Sequence, residues 1–402
     1  MLGPGPRDNG LVGGASYRIV VQLRYQYRVY PTPSQRGSLA RAFGCTRVVY
    51  NDCIRLRHEA HAAAMRITDT DVQKRAVTLA KRTPERSWLG EVASVILVQA
   101  CQDARRAYRN WFDSMSGKRK GRRIGPPRFR SRKDHRQSIR LTRNGFSIRN
   151  NKRLYVAKIG ELDVRWSRDL PADPSSVTIV KDSAGRYFAS FVVEVEPVPL
   201  PEVDSEVGID LGLTTFAVLS NGKTVSSPRF LRRAERSLRK AQQSLSRKQK
   251  GSKNRAQQRV RVAKAHARVA DARRDWAHKQ STMIIRDNQA VFVEDLCVSG
   301  LARTWLAKSV HDAGWSMFTR MLEEKAARYG RVFGKVDRLY PSSQICSTCG
   351  AVDGPKPLAL RQWRCRACSA VHDRDLNAAK NIHAAGRAEW QNACGETVGL
   401  PA

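Results

Sequence analysis

Val207-Gly208-Ile209-Asp210-Leu211-Gly212 reads as a short buried strand with one carboxylate set inside it. An unpaired acid in an apolar strand is costly to desolvate, so its presence needs a reason. The need is sharper because the chain is poor in acid. Its 402 residues hold 73 Lys and Arg against 36 Asp and Glu, a net charge of +37. Downstream, Thr215-Phe216-Ala217-Val218-Leu219 forms a second strand and Asn221-Gly222 a strong hairpin turn before Thr224-Val225. Two helices follow. Leu231, Leu238 and Leu245 recur every seven residues, as do Val262, Val269, Trp276 and Met283, with Gly251-Ser252 as the turn between them. This predicts an antiparallel helical hairpin with a coiled-coil-like seam. A strand over 290–293, a helix over 312–329, a strand over 331–337 and a last helix over 376–388 complete the pattern.

Two more acids hold comparable places. Glu294 closes the strand in Val291-Phe292-Val293-Glu294-Asp295-Leu296, and Asp375 lies in Asp373-Arg374-Asp375-Leu376-Asn377-Ala378-Ala379. The order of three strands, two helices, strand, helix, strand, helix is that of an RNase H-like fold. In that frame Glu294 caps a strand beside the one carrying Asp210, and Asp375 begins a helix packed across both. Carboxylates so placed can hold a pair of Mg²⁺ ions about 4 Å apart, and hard oxygen ligands suit Mg²⁺ or Mn²⁺ rather than zinc. Singly, each acid also fits a surface residue or a cap, and Asp375 can simply start a helix. Asp295 and Asp373 are neighbours open to confusion with the ligands, although Asp295 should point to the opposite side of its strand.

Cys346-Ser347-Thr348-Cys349 and Cys365-Arg366-Ala367-Cys368 are two knuckles whose spacing brings four thiolates to one tetrahedral ion. A redox pair or plain buried thiols are the competing readings. Four sulfurs make a closed, structural Zn²⁺ site, placed to fix the loop that delivers Asp375. His372 is surplus to it. Cys45, Cys53, Cys101, Cys297 and Cys394 lack partner spacing and read as small buried hydrophobes.

Upstream, residues 17–30 alternate at strand period through Ile19, Val21, Leu23, Tyr25, Tyr27 and Val29. Ser34 is the expected N-cap of a helical stretch that runs to about Met115. On its last helix Ile96, Ala100, Ala104, Ala107 and Trp111 form a small apolar face. Residues 117–153 carry 15 Lys or Arg and a single acid, Asp134. Short strands then fall at 146–148, 154–156, 162–164, 177–180 and 187–193, and the first strand is expected to complete their sheet. The helical hairpin is also basic, with 18 Lys or Arg against 3 acids from Arg229 to Lys279. A solvated face would be served better by balanced Glu/Lys pairs. Charge on this scale calls for a polyanion, and nucleic acid is the obvious one. Membrane attachment is not expected, because the basic residues do not flank an apolar anchor. With no apolar leader or span the expected location is the cytoplasm, nucleoid-associated when on DNA.

These residues resemble the TnpB family, insertion-sequence relatives of type V CRISPR effectors. The likeness extends to Tyr27-Arg28-Val29-Tyr30-Pro31-Thr32-Pro33, Phe43 to Asn51, Pro127-Arg128-Phe129-Arg130-Ser131, Gln137-Ser138, Leu322 to Ala326, Tyr340 to Gln344 and Asp373 to Ile382. Cys297 departs from a frequent Asn, Glu324 from a common Tyr, and residues 1–16 have no counterpart. The resemblance implies a multidomain α/β plus β chain. It would hold a disordered leader (1–16), an N-terminal β-barrel-like wedge domain (17–34 and 117–200) and an inserted helical recognition module (35–116). An RNase H-like (RuvC) nuclease domain (201–340 and 371–402) would carry the basic hairpin (229–286) and an inserted zinc ribbon (341–370). It further implies an RNA-guided DNA endonuclease that cuts guide-complementary double-stranded DNA beside a short adjacent motif. Asp210, Glu294 and Asp375 would be the catalytic Mg²⁺ ligands, and Cys346, Cys349, Cys365 and Cys368 would hold Zn²⁺. One monomer per guide RNA is expected. Tyr25, Tyr27 and Tyr30, or Gln and Arg residues of the helical module, are candidates to read bases. Two other readings stand beside it: a nuclease-inactive RNA-guided regulator, and a guide-independent RNase H-like transposase.

Overall fold

The computed structural model describes residues 21–119, 121–134, 136–357 and 359–393. The leader and Cys394 lie outside them. Strand β1 (Val21–Val29) is followed by α1 (Pro33–Ala62). The cap of α1 is Thr32, not Ser34. Pro33 fills the first helical position, where its missing N–H costs nothing. The Thr32 hydroxyl accepts from the Gln35 amide at 3.3 Å while the Gln35 side chain accepts from the Thr32 amide at 3.0 Å. Helix α2 (Asp69–Gln73) runs into a π turn and two 3₁₀ turns before α3 (Ser94–Met115). On α3, Ile96, Leu97, Ala100, Cys101, Ala104 and Tyr108 are buried, so its inward face is broader than its alanines suggest.

The following strands are β2 (Gln137–Thr142), β3 (Phe146–Ile148), β4 (Leu154–Val156), β5 (Gly160–Leu162), β6 (Val164–Arg165), β7 (Ser176–Lys181) and β8 (Tyr187–Val195). They make a five-stranded sheet in the order β2-β7-β8-β1-β6 and a separate meander, β3-β4-β5. Strand β1 pairs with β8 along its whole length, from Val21–Val195 to Val29–Tyr187. Residues 30–136 therefore leave this sheet and return to it. Strand β2 lay hidden in the basic stretch, yet its Ile139 and Leu141 are buried. Tyr25 and Tyr27 are core residues and cannot read bases. Tyr27 packs on Trp166 and Phe191, and of the three tyrosines only Tyr30 is exposed.

The second half is built on β9 (Glu206–Leu211), β10 (Thr215–Leu219) and β11 (Thr224–Ser226), then α4 (Phe230–Ser246), α5 (Lys253–Asp287) and β12 (Ala290–Glu294). Next come α6 (Val298–Leu301), α7 (Ala307–Ala313), α8 (Trp315–Tyr329) and β13 (Val332–Val336). Strands β14 (Gln362–Arg364) and β15 (Val371–Asp373) lead into α9 (Arg374–Ala393). The expected helix over 312–329 is thus two helices. Gly314 takes φ 73°, a left-handed conformation that ends α7. The hairpin seam is real for Leu238 and Val269, but Met283 is exposed. By that point α5 has outrun α4 and turns Ala277, Ser281, Ile284 and Ile285 inward instead.

The sheet order is β11-β10-β9-β12-β13. β9 to β11 pair antiparallel, whereas β12 runs parallel to both β9 and β13. Strand parity then sorts the side chains. Val207, Ile209, Leu211, Val291 and Val293 join the core under α5 and α8. Gly208, Asp210, Phe292 and Glu294 take the other face, which α9 covers. Contact there is very close: a Cβ on Gly208 would lie 2.2 Å from the Ala379 carbonyl oxygen. The Phe292 ring is likewise held between Gly334 and Gly386. Among the described residues no helix is long and apolar enough to cross a membrane.

Candidate active site

The register that sets Val293 beside Ile209 brings the next pair, Glu294 and Asp210, together at the C-terminal ends of parallel strands. Helix α9 crosses the same face with Asp375 in its first turn. All three carboxylates line one cavity of about 890 Å³. Their proximity has an electrostatic cost. Burial, then the charges of Asp375 and Glu294, push the Asp210 carboxyl up to about 7, against the opposing pull of Arg374 and Arg361. Burial also raises Glu294, with a smaller contribution from Asp295.

The neighbouring acids do other work. Asp295 is ion-paired to Arg338 and does not line the cavity. Asp373 accepts from the Leu376 amide at 2.9 Å and so caps α9. The helix-start role open to Asp375 therefore falls to Asp373, and Asp375 faces the cavity. The Arg361 guanidinium lies 3.3 Å from both Asp375 oxygens. Arg338, Arg361 and Arg374 line the cavity with the acids, as do Arg229 and Arg232 at the start of α4. The arrangement offers hard oxygen donors and guanidiniums in one cavity, suited to a phosphate and the cations that accompany it.

Sequence reasoning missed Asp312. This buried carboxylate accepts from the Leu231 amide at 2.8 Å, the Arg232 amide at 3.2 Å and Arg273 Nη2 at 3.2 Å. Helix α4 has no capping side chain of its own, so a residue 80 positions away in sequence closes it and ties the basic hairpin to the cavity wall. In the sequence it stands out only as an acid two residues before Gly314. On the hairpin itself, all Lys and Arg from 229 to 279 are exposed except Arg255 and Arg273, which are half-buried.

The four knuckle sulfurs lie within 4.8 Å of one another. Cys346–Cys368 and Cys349–Cys365 are each 3.7 Å apart, where tetrahedral zinc with bonds of ~2.3 Å needs about 3.8 Å. His372 is not a fifth ligand. Its Nε2 sits 3.0 Å from the Cys346 sulfur, as an outer partner to that thiolate. Of the remaining cysteines Cys45, Cys53 and Cys101 are buried, but Cys297 is exposed, contrary to expectation. The first knuckle is bolted to α9 by two asparagines to which the sequence reading gave no role. Asn377 accepts from the Ser347 amide at 2.9 Å and donates to the Ile345 carbonyl at 2.7 Å. Asn381 donates to the Ser342 and Ile345 carbonyls at 2.7 Å.

A protein of Streptomyces pristinaespiralis named "Putative RNA-guided DNA endonuclease" is 44% identical over 382 residues, covering 94% of this chain and 92% of its own. The chain belongs to the TnpB family. A second such relative, the InsQ protein of Escherichia coli K12, carries the same description at 29% identity over 93% of this chain and 94% of its own. Residues 190–304 match the OrfB family of IS605 elements, described as "Probable transposase", and residues 315–382 match a "Cas12f1-like, TNB domain". Residues 21–65 match a family described as a helix-turn-helix domain, although here that segment is one strand and one 30-residue helix. In three dimensions this TnpB-family chain is similar to Cas12f1 as solved in complex with single guide RNA and target DNA. The TM-score is 0.58 at 13% identity, over 91% of this chain and 99% of the other. That likeness supports the fold, and the matched TNB segment contains the four clustered cysteines.

Proposed function

We propose that the chain is a divalent-metal-dependent, RNA-guided DNA endonuclease, with Asp210, Glu294 and Asp375 as its catalytic carboxylates. The observation that carries this reading is their convergence, from β9, β12 and α9, on one cavity walled by arginines. The donor set fits Mg²⁺ or Mn²⁺: all oxygen, and so buried and crowded that Asp210 cannot easily hold its own charge without added positive charge. Bound there, a pair of such ions would supply the activation of water and the stabilisation of the leaving 3′ oxygen in a RuvC-type hydrolysis.

The chain's own residues do the rest. The parallel strands fix Asp210 and Glu294 side by side, so the ligands are ordered before substrate arrives. Arg361 and Arg374 compensate the phosphate charge. In the overall step, water oxygen bonds to phosphorus, the P–O3′ bond breaks, and the leaving oxygen takes up a proton. Zn²⁺ on Cys346, Cys349, Cys365 and Cys368 would be structural, with no position open to substrate. The exposed basic hairpin and the basic segment before β2 suit a guide RNA and its heteroduplex, held by backbone charge. The names of the relatives, RNA-guided DNA endonucleases, support the guide.

The test is Asp210→Ala in the RNA-loaded protein. Mg²⁺-dependent cleavage should fall on the order of 10³-fold or more while nucleic-acid binding persists. Parental cutting by that variant would end the assignment. Sequencing of co-purifying RNA separates a guided enzyme from a transposase: one structured species with a variable end supports the guide, and no RNA at all opposes it.

A further inference from the structure

Among the exposed large apolar side chains in the described residues, Trp305 is the most exposed, at 88%. Its loop is not loose. The Thr304 hydroxyl donates to the Leu301 carbonyl at 2.8 Å and accepts from the Leu306 amide at 3.2 Å. Leu301, Ala302 and Leu306 pack against the core beneath the nuclease sheet. The turn thus partly buries its smaller apolar residues and leaves outside the one with most to gain from burial. Trp305 also lines the cavity that holds the three carboxylates. On the strap after β13, Leu339 lines it too and is 85% exposed. An aromatic lip and an aliphatic lip therefore border a cleft whose other walls carry guanidiniums. A volume of about 890 Å³ is of the size that encloses a drug-sized ligand, hence about two nucleotides, and not a duplex turn.

We propose that Trp305 is a stacking platform for a base of the single DNA strand being cut, with Leu339 closing the opposite side. This deepens the nuclease reading and rests on it. A strand entering the cleft turns its phosphate toward the carboxylates and arginines, and its base must then find an apolar surface. An indole face accepts any base, so the contact positions the strand without selecting sequence. Trp305 is a positioning residue here and takes no part in the chemistry.

The experiment compares parent, Trp305→Phe and Trp305→Ala as guide-RNA complexes. The substrates are matched target DNAs in which single nucleotides around the cut are replaced one at a time by abasic sites. The expected result for Trp305→Ala is an unchanged melting temperature and a roughly 5- to 100-fold loss in kcat/KM, as expected for one lost stack, with Trp305→Phe largely restored. One abasic position should slow the parent and leave Trp305→Ala no slower than it already is. Parental cutting by Trp305→Ala, or an abasic profile identical in parent and variant, overturns the stacking role. Either result leaves the nuclease reading intact as long as Asp210→Ala remains inactive. A loss of cutting equal for Phe and Ala also overturns it.

Discussion

Two clusters of candidate metal ligands adjoin the first turns of helix α9, and they are built on contrary plans. The cysteine quartet is assembled from two short turns, is closed, and has matched Sγ–Sγ distances of 3.7 Å. The carboxylate cavity draws single residues from β9, β12 and α9, is open, and buries Asp210 beside two like charges, which pushes its carboxyl up to about 7. One site stabilises by being complete. The other is open, as the proposed nuclease reading requires of a site that receives a substrate.

The largest effect that tests this contrast falls on the closed site. Cys365→Ser should release zinc, measured by elemental analysis, and cost on the order of several kcal/mol of stability. Unchanged metal content would break the comparison. A smaller effect, of opposite sign, belongs to the open site. In the unfolded chain the Asp210 carboxyl titrates near ~3.9, and in the fold near 7. Between those values the folded state holds the extra proton, so stability is lost as pH rises from 4 to 7, by up to about 4 kcal/mol. Asp210→Asn should abolish that slope and be more stable than the parent at pH 8 in chelator. Mg²⁺ should stabilise the parent there and not the variant. Parallel denaturation curves for the two proteins would refute this account of a buried, charge-crowded Asp210. The smallest effect concerns the joint between the sites. Asn377→Ala leaves the Ser347 amide unpaired, at about 1–3 kcal/mol. It should retain zinc but slow cleavage roughly tenfold by loosening Asp375. Full cleavage with intact zinc would show the two sites to be mechanically independent.

The same contrast explains what could be read from the chain alone. The quartet is written in local spacing, and C-x-x-C specifies its geometry wherever it occurs. The acids were legible only through the fold, because an Asp inside an apolar strand is anomalous and the strand order puts Glu294 beside it. What stayed hidden depends on partners distant in sequence. Gly208 looks like an ordinary strand residue until the Ala379 carbonyl lies where its side chain would be. Asp312 caps a helix that is not its own. Strand β2 was masked by the basic residues around it, and Thr32 rather than Ser34 caps α1 because Pro33 prefers the first helical position.

Strand β1 is inner to its sheet, flanked by β8 and β6, and this has a bearing on biosynthesis. On a ribosome adding about 5–20 residues per second, the strand's principal partner emerges roughly ten to thirty seconds after it does. Throughout that delay the backbone N–H and C=O groups along one edge of β1 lack their partner, so any nascent chain that stalls before residue 187 must carry β1 without β8. Completion of this lobe is thereby timed by translation itself, with the earliest strand among the last to be locked in.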